Sequence, residues 1–124
     1  MPIDEGLVER VRAALGDDPS VSEVRMFGGL AFLVDGHMAC GILGDELMVR
    51  LGAADADAAL ERPHVRRMDF TRRPARTAVF VEPAGLVDAD ALERWVEAGV
   101  VFARSLPPKD PRGPRAPKRR RPRP

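Results

Sequence analysis

Residues 30–51 read LAFLVDGHMACGILGDELMVRL, and this stretch decides the fold. Two dipeptides, Asp35-Gly36 and Gly44-Asp45, interrupt otherwise apolar segments. Both are two-residue hairpin signals, suited to type I′ and II′ turns, whose central positions need the positive φ that Gly and Asp tolerate. They divide the stretch into three antiparallel strands over 29–34, 37–43 and 46–51. The turns also predict a register. Around Asp35-Gly36, Val34 pairs with His37, Leu33 with Met38 and Ala31 with Cys40. Around Gly44-Asp45, Leu43 pairs with Glu46, Ile42 with Leu47 and Cys40 with Val49. Strand side chains alternate between faces, so this register sorts them. Ala31, Leu33, Met38, Cys40, Ile42, Leu47, Val49 and Leu51 form a wholly apolar face, expected to pack on helices. Leu30, Phe32, Val34, His37, Ala39, Gly41, Leu43, Glu46, Met48 and Arg50 form the second, mixed face.

Outward from this core, Leu7, Val8, Val11 and Leu15 recur at one-face helical spacing. They predict a helix from Asp4, its cap, to Leu15, stopped by Gly16. A short apolar piece, Val24–Phe27, precedes Gly28-Gly29. An alanine-rich helix is expected over 53–61, stopped by Pro63, then strands near 65–68 and 77–81. Leu92, Trp95, Val96, Gly99, Val100 and Ala103 mark a last helix from Asp90 to Ser105. There Asp90 and Glu93 suggest a capping box, and Pro107-Pro108 form a stop. The order is helix, three strands, helix, two strands, helix. Helices grouped over an antiparallel sheet indicate an α+β two-layer domain, α-β3-α-β2-α.

The chain has 124 residues and a formal net charge of +1, a length that fits one domain. The charge is unevenly placed. Residues 107–124 hold eight basic residues and one acid, Asp110, with seven of the twelve prolines. The remainder carries 12 basic and 18 acidic residues, a net −6. The domain is therefore expected over 1–106. The 107–124 tail, Pro/Arg-rich and nearly without apolar residues, is expected to be disordered. No apolar run approaches a membrane span. One cysteine and no leader pattern lead to the expectation of a cytoplasmic protein.

Residues 25–38, RMFGGLAFLVDGHM, together with 46–51, ELMVRL, and the Trp95-containing last helix, resemble the TfoX N-terminal domain family. The resemblance covers about 4–106. Its motif residues are Met26, Phe27, Gly28, Gly29, Asp35 and Gly36. It implies a secretion-chaperone-like α-β3-α-β2-α fold and a non-enzymatic domain linked to regulation, and it supplies no catalytic residue. Competence regulators of that kind carry a second, helical domain. Eighteen residues follow Leu106 here, so a stand-alone domain is expected.

No catalytic, cofactor or metal site emerges from the residues. Gly28-Gly29 precedes a strand rather than a helix N-terminus and lacks a following Gly-Lys-Ser/Thr, so it reads as a bend rather than a phosphate loop. Cys40 falls on the inner face, where desolvation keeps a thiol inert. By the predicted register His37 points to the opposite face, and His64 sits in a connection. Neither histidine has metal-site spacing. Asp55 and Asp57 share no helical face. Arg62, Arg66, Arg67, Arg72, Arg73 and Arg76 form a basic cluster that reads first as solvated surface. In the tail, Lys118, Arg119, Arg120, Arg121 and Arg123 have almost no acids to neutralise them, the pattern for salt-dependent, nonspecific phosphate binding.

The expectation is a non-catalytic regulatory or interaction domain. Its second sheet face, through Leu30, Phe32, Val34 and Met48, would meet a protein partner or a second copy, and its tail would meet nucleic acid. No cofactor, metal or membrane is expected. The alternative is a small enzyme or a small-molecule sensor with a pocket between sheet and helix.

Overall fold

A computed structural model describes residues 3–26, 28–67 and 76–107. Phe27, Arg72, Arg73 and the tail residues Lys118, Arg119, Arg120, Arg121 and Arg123 lie outside the described residues. The elements are α1 (Glu5–Leu15), β1 (Val21–Met26), β2 (Gly29–Val34), β3 (His37–Leu43), β4 (Glu46–Arg50), α2 (Ala53–Ala59), β5 (Val65–Arg67), β6 (Ala78–Val81) and α3 (Ala89–Arg104). The six strands form one antiparallel sheet in the order β1-β2-β3-β4-β6-β5. The helices pack on one of its faces, the α+β two-layer arrangement that the pattern predicts.

The turns behave as their residues require. Asp35 (φ 53°) and Gly36 (φ 85°) both have positive φ, as a type I′ turn needs. At the second hairpin only Gly44 does (φ 63°), the type II′ pattern. Asp4 caps α1 by accepting the Leu7 N–H at 3.1 Å. The last helix is capped by Asp88, which accepts from the Asp90 N–H, and not by Asp90 as the capping-box reading expects. Two acids alternate there, and the earlier one adopts the extended backbone that a cap needs.

Two expectations are corrected. Val24–Met26 of the expected apolar piece belong to a full strand, β1, which pairs with β2 from Val21↔Val34 to Met26↔Gly29. The predicted β2–β3 register holds only next to the turn, with Val34↔His37 and Leu33↔Met38. It then slips by one residue, so that Phe32 rather than Ala31 faces Cys40. Ala39 is the additional residue on β3, a bulge, and it inverts the sides on β2. Leu30 and Phe32 enter the helix-side core with Cys40, Ile42, Leu47 and Val49. Val34 and Ala39 pack against Ala103 of α3. Ala31, Leu33 and Met38, expected inside, face away from the helices.

The bulge also sets the seat of α3. A Cβ on Gly99 would lie 2.3 Å from the Ala39 carbonyl oxygen. The helix backbone therefore rests directly on the bulged strand. Leu92, Trp95, Val96 and Ala103 fill the surrounding space.

Candidate interaction face

The sheet face away from the helices is apolar. Cross-strand partners place Val24, Ala31, Gly41, Met48, Phe80 and Arg66 in one row across all six strands. Beside the row lie Met26 and Leu43 towards one end and Leu33, Met38 and Ala78 towards the other. Met48, Ala78 and Phe80 form a small cluster supported by Met38 and Leu43. Val24 is 38% exposed, and Met26, Leu33, Met38 and Leu43 are half-buried. Next to Gly41 and Met48 is a shallow apolar depression of about 100 Å³, bordered by Met26, Met38, Leu43 and Phe80. At its polar rim the Arg66 guanidinium sits 4.6 Å over the Phe80 ring and donates to Glu46 at 2.5 Å. That arrangement anchors the charged end of the row on both an aromatic and a carboxylate.

The residues expected to carry this face divide. Met48 lies on it, although only 6% exposed. Leu30, Phe32 and Val34 do not: the bulge turns them into the core, where they are 4%, 0% and 0% exposed. Their places are taken by Val24, Ala31, Leu33, Met38 and Phe80. The signal that could have found them is the extra residue between two aligned turns, which alternation cannot show in a run where both faces are apolar.

The glycine motif is structural. Met26 pairs with Gly29 to close the β1–β2 hairpin, and Gly28 takes φ 77° between them. A Cβ on Gly29 would lie 2.4 Å from the Ile42 carbonyl oxygen, so only glycine lets β3 approach.

The nucleophile and base candidates are separated by burial. Cys40 has no exposed surface, and burial pushes its thiol up to about 12. His37 lies on the same side as Cys40 rather than the opposite one, again because of the bulge. It is at the sheet's end, where its Nε2 meets the Pro107 carbonyl at 2.5 Å. No hydrogen bond joins the two among the described residues. His64 has φ 67° in the connection before β5, and its carbonyl accepts the Glu82 N–H at 2.8 Å.

Three described members of the basic cluster, Arg62, Arg66 and Arg67, have separate partners. Arg66 meets Glu46, Arg67 meets Asp57 at 3.2 Å, and the Arg62 guanidinium lies 4.7 Å over Trp95. Asp57 is thereby an ion-pair partner on α2. Arg50 is held 5.2 Å over the Phe102 ring; burial lowers its pKa, and its Nε has no hydrogen-bond partner among the described residues. Among the described residues, no group of three or more His, Cys, Asp or Glu is placed to hold a metal ion. None of the described helices is long and apolar enough to cross a membrane.

Comparison with known proteins gives one family. The model of the TfoX N-terminal domain matches residues 13–103. That span takes in the last three residues of α1, the whole described sheet and nearly all of α3. No curated protein and no solved structure matches the chain.

Proposed function

Because the chain belongs to the TfoX N-terminal domain family, we propose that it is a non-catalytic regulatory interaction domain with a nucleic-acid-binding tail. In this reading the helix side builds the fold and the opposite sheet face meets an apolar protein surface. The observation that carries the reading is the face itself, on which no helix packs among the described residues. Val24, Met26, Leu33, Met38 and Leu43 present apolar surface together, and Arg66 and Glu46 close one edge as a polar rim. A contiguous apolar patch with a polar rim is the usual form of a protein contact. The buried thiol of Cys40 and its separation from His37 support a role without covalent chemistry. The 107–124 segment, with eight basic residues against one acid, supports backbone-directed binding of nucleic acid.

The face is tested by placing a photo-crosslinking residue at Met38 or Leu33 in the host cell. A discrete protein adduct is expected at these positions and not at exposed Glu97 on α3. Equal labelling at all three, or none at the face, refutes the reading. The tail is tested by duplex DNA titration at two salt concentrations. Binding should weaken steeply with salt and disappear from a chain ending at Leu106. Binding that survives the truncation refutes the tail's role.

A further inference from the structure

β1 ends the sheet, and among the described residues nothing pairs with its outer side. Edge strands of this kind template further pairing unless they are blunted. Proteins blunt them with proline, with very short strands or with charged side chains, lysine above all. β1 has six residues, VSEVRM, with no proline and no lysine. Its two charges, Glu23 and Arg25, stand two positions apart and so share a face.

The hydrogen-bonding direction of each residue follows from the ladder. The Asp35 N–H donates to the Ser20 carbonyl at 3.0 Å, which fixes Ser20 as bonded towards β2. Antiparallel ladders alternate, so Ser22, Val24 and Met26 also bond inward. Glu23 and Arg25 then direct their N–H and C=O groups outward. The Val21 N–H, also outward, is already used by the Asp18 carbonyl at 3.1 Å.

We propose that β1 pairs with β1 of a second copy of this chain, antiparallel, about a two-fold axis at Val24. In this register Glu23 opposes Arg25 of the second copy, and Arg25 opposes its Glu23. Both pairs are hydrogen-bonding pairs, because both residues present outward backbone groups. Both are also pairs of opposite charge, the favourable cross-strand combination. The alternatives lose one or both properties. Centring on Glu23 sets carboxylate against carboxylate, and centring on Arg25 sets guanidinium against guanidinium. Centring on Ser22 brings Arg25 opposite Pro19, which has no N–H to give. A self-complementary patch of this kind is what an isologous two-fold contact requires.

The side chains agree with the pairing. The Arg25 guanidinium is exposed. Glu23 is held by Arg12 of α1 through two bonds of 2.8 Å, a contact that keeps its carboxyl below the ordinary range and fixes its place on the strand. A carboxylate has further acceptor sites for a second guanidinium. On the other side of the ribbon, Val24 meets Val24 of the second copy at the close, non-hydrogen-bonded position. Val24 is among the few large apolar residues of the fold that stand exposed. The union makes one continuous sheet and runs the two apolar faces together across the join. It does not depend on a partner for that face.

The test is the mass of the full chain by sedimentation or light scattering over a concentration series. A concentration-dependent dimer is expected. Arg25→Glu leaves the Arg12–Glu23 contact in place and sets like charges across both pairs. It should weaken the dimer by about tenfold or more. Glu23→Arg should do the same, and an equimolar mixture of the two variants should recover a mixed dimer. Arg25→Pro, which removes an outward N–H at an edge that tolerates proline, should also give monomer. Circular dichroism melts confirm that each variant is folded. A chain monomeric at every concentration, a dimer indifferent to both charge reversals, or a mixture that fails to re-associate overturns the proposal. Met38→Lys should leave the dimer intact; if it alone abolishes the dimer, the contact is through the open face and β1 pairing is wrong.

Discussion

Replacing Gly99 by alanine tests the seat of α3 on the bulged strand. In an isolated helix the change stabilises, because alanine is favoured over glycine by about 1 kcal/mol at an interior position. Here the new methyl would lie 2.3 Å from the Ala39 carbonyl oxygen and 3.0 Å from its carbon, with Val49 Cγ1 at 3.5 Å. The obstacle is backbone, which cannot swing aside as a side chain would. The helix must lift, and that loosens Leu92, Trp95, Val96 and Ala103 from the sheet. Overpacking of this type costs about 1–3 kcal/mol, and a backbone clash belongs at the upper end. Offset by the helix preference, the net loss is about 2 kcal/mol. For a domain of this size that lowers the melting temperature by roughly 10 °C. Thermal and urea unfolding of the Gly99→Ala chain measure it. A neutral or stabilising result would show that the helix does not sit on Ala39 and would refute the account of the bulge.

Two further outcomes are expected. Cys40 should resist a water-soluble disulfide reagent at neutral pH in the native protein and react at once in denaturant, because its thiol is fully buried and pushed up to about 12; rapid native labelling contradicts the packing. Glu23 is held below its ordinary value of 4.5, chiefly by the hydrogen bond from Arg12. A lowered folded pKa gives stability that is present above the unfolded value and is lost as pH falls through 4.5 and below. Glu23→Gln should therefore reduce stability at pH 7 and flatten the acid limb of the stability profile. An unchanged acid limb means that the contact contributes nothing in solution.

Much of the fold was legible because its turns announce themselves. Asp35-Gly36 and Gly44-Asp45 marked both hairpins, and the β3–β4 register around Gly44 is the one that the turn dictates. The apolar stripe of α3 was equally clear. β1 was not, since VSEVRM places Val21 with Glu23 and Arg25 on one side and Ser22 with Val24 and Met26 on the other, with no clean alternation of polarity. The bulge at Ala39 was invisible for a different reason. In HMACGIL every position is compatible with either side, so an inserted residue changes no pattern while it exchanges Leu30 and Phe32 for Ala31 and Leu33. Of the four residues expected on an interaction face, the bulge therefore turns three, Leu30, Phe32 and Val34, into the core. The Cys40–His37 relation failed in the same way. Ion pairs such as Arg66–Glu46, joining residues far apart in sequence, depend on β6 lying between β4 and β5, an order that no local motif encodes.

The contact between Gly99 and Ala39 acts as an index pin. An otherwise smooth helix could slide along a sheet by a turn and still bury its stripe. Only one position on α3 lacks a side chain where the strand bulges, so only one axial setting closes. That setting fixes where the helix ends. Pro107 arrives at His37, beside the Asp35-Gly36 turn, and Arg104 of the last helical turn reaches Asp18 of the loop before β1. The last described residue therefore lies beside the β2–β3 turn, at the end of the sheet remote from Gly44, its position set by a single missing methyl group.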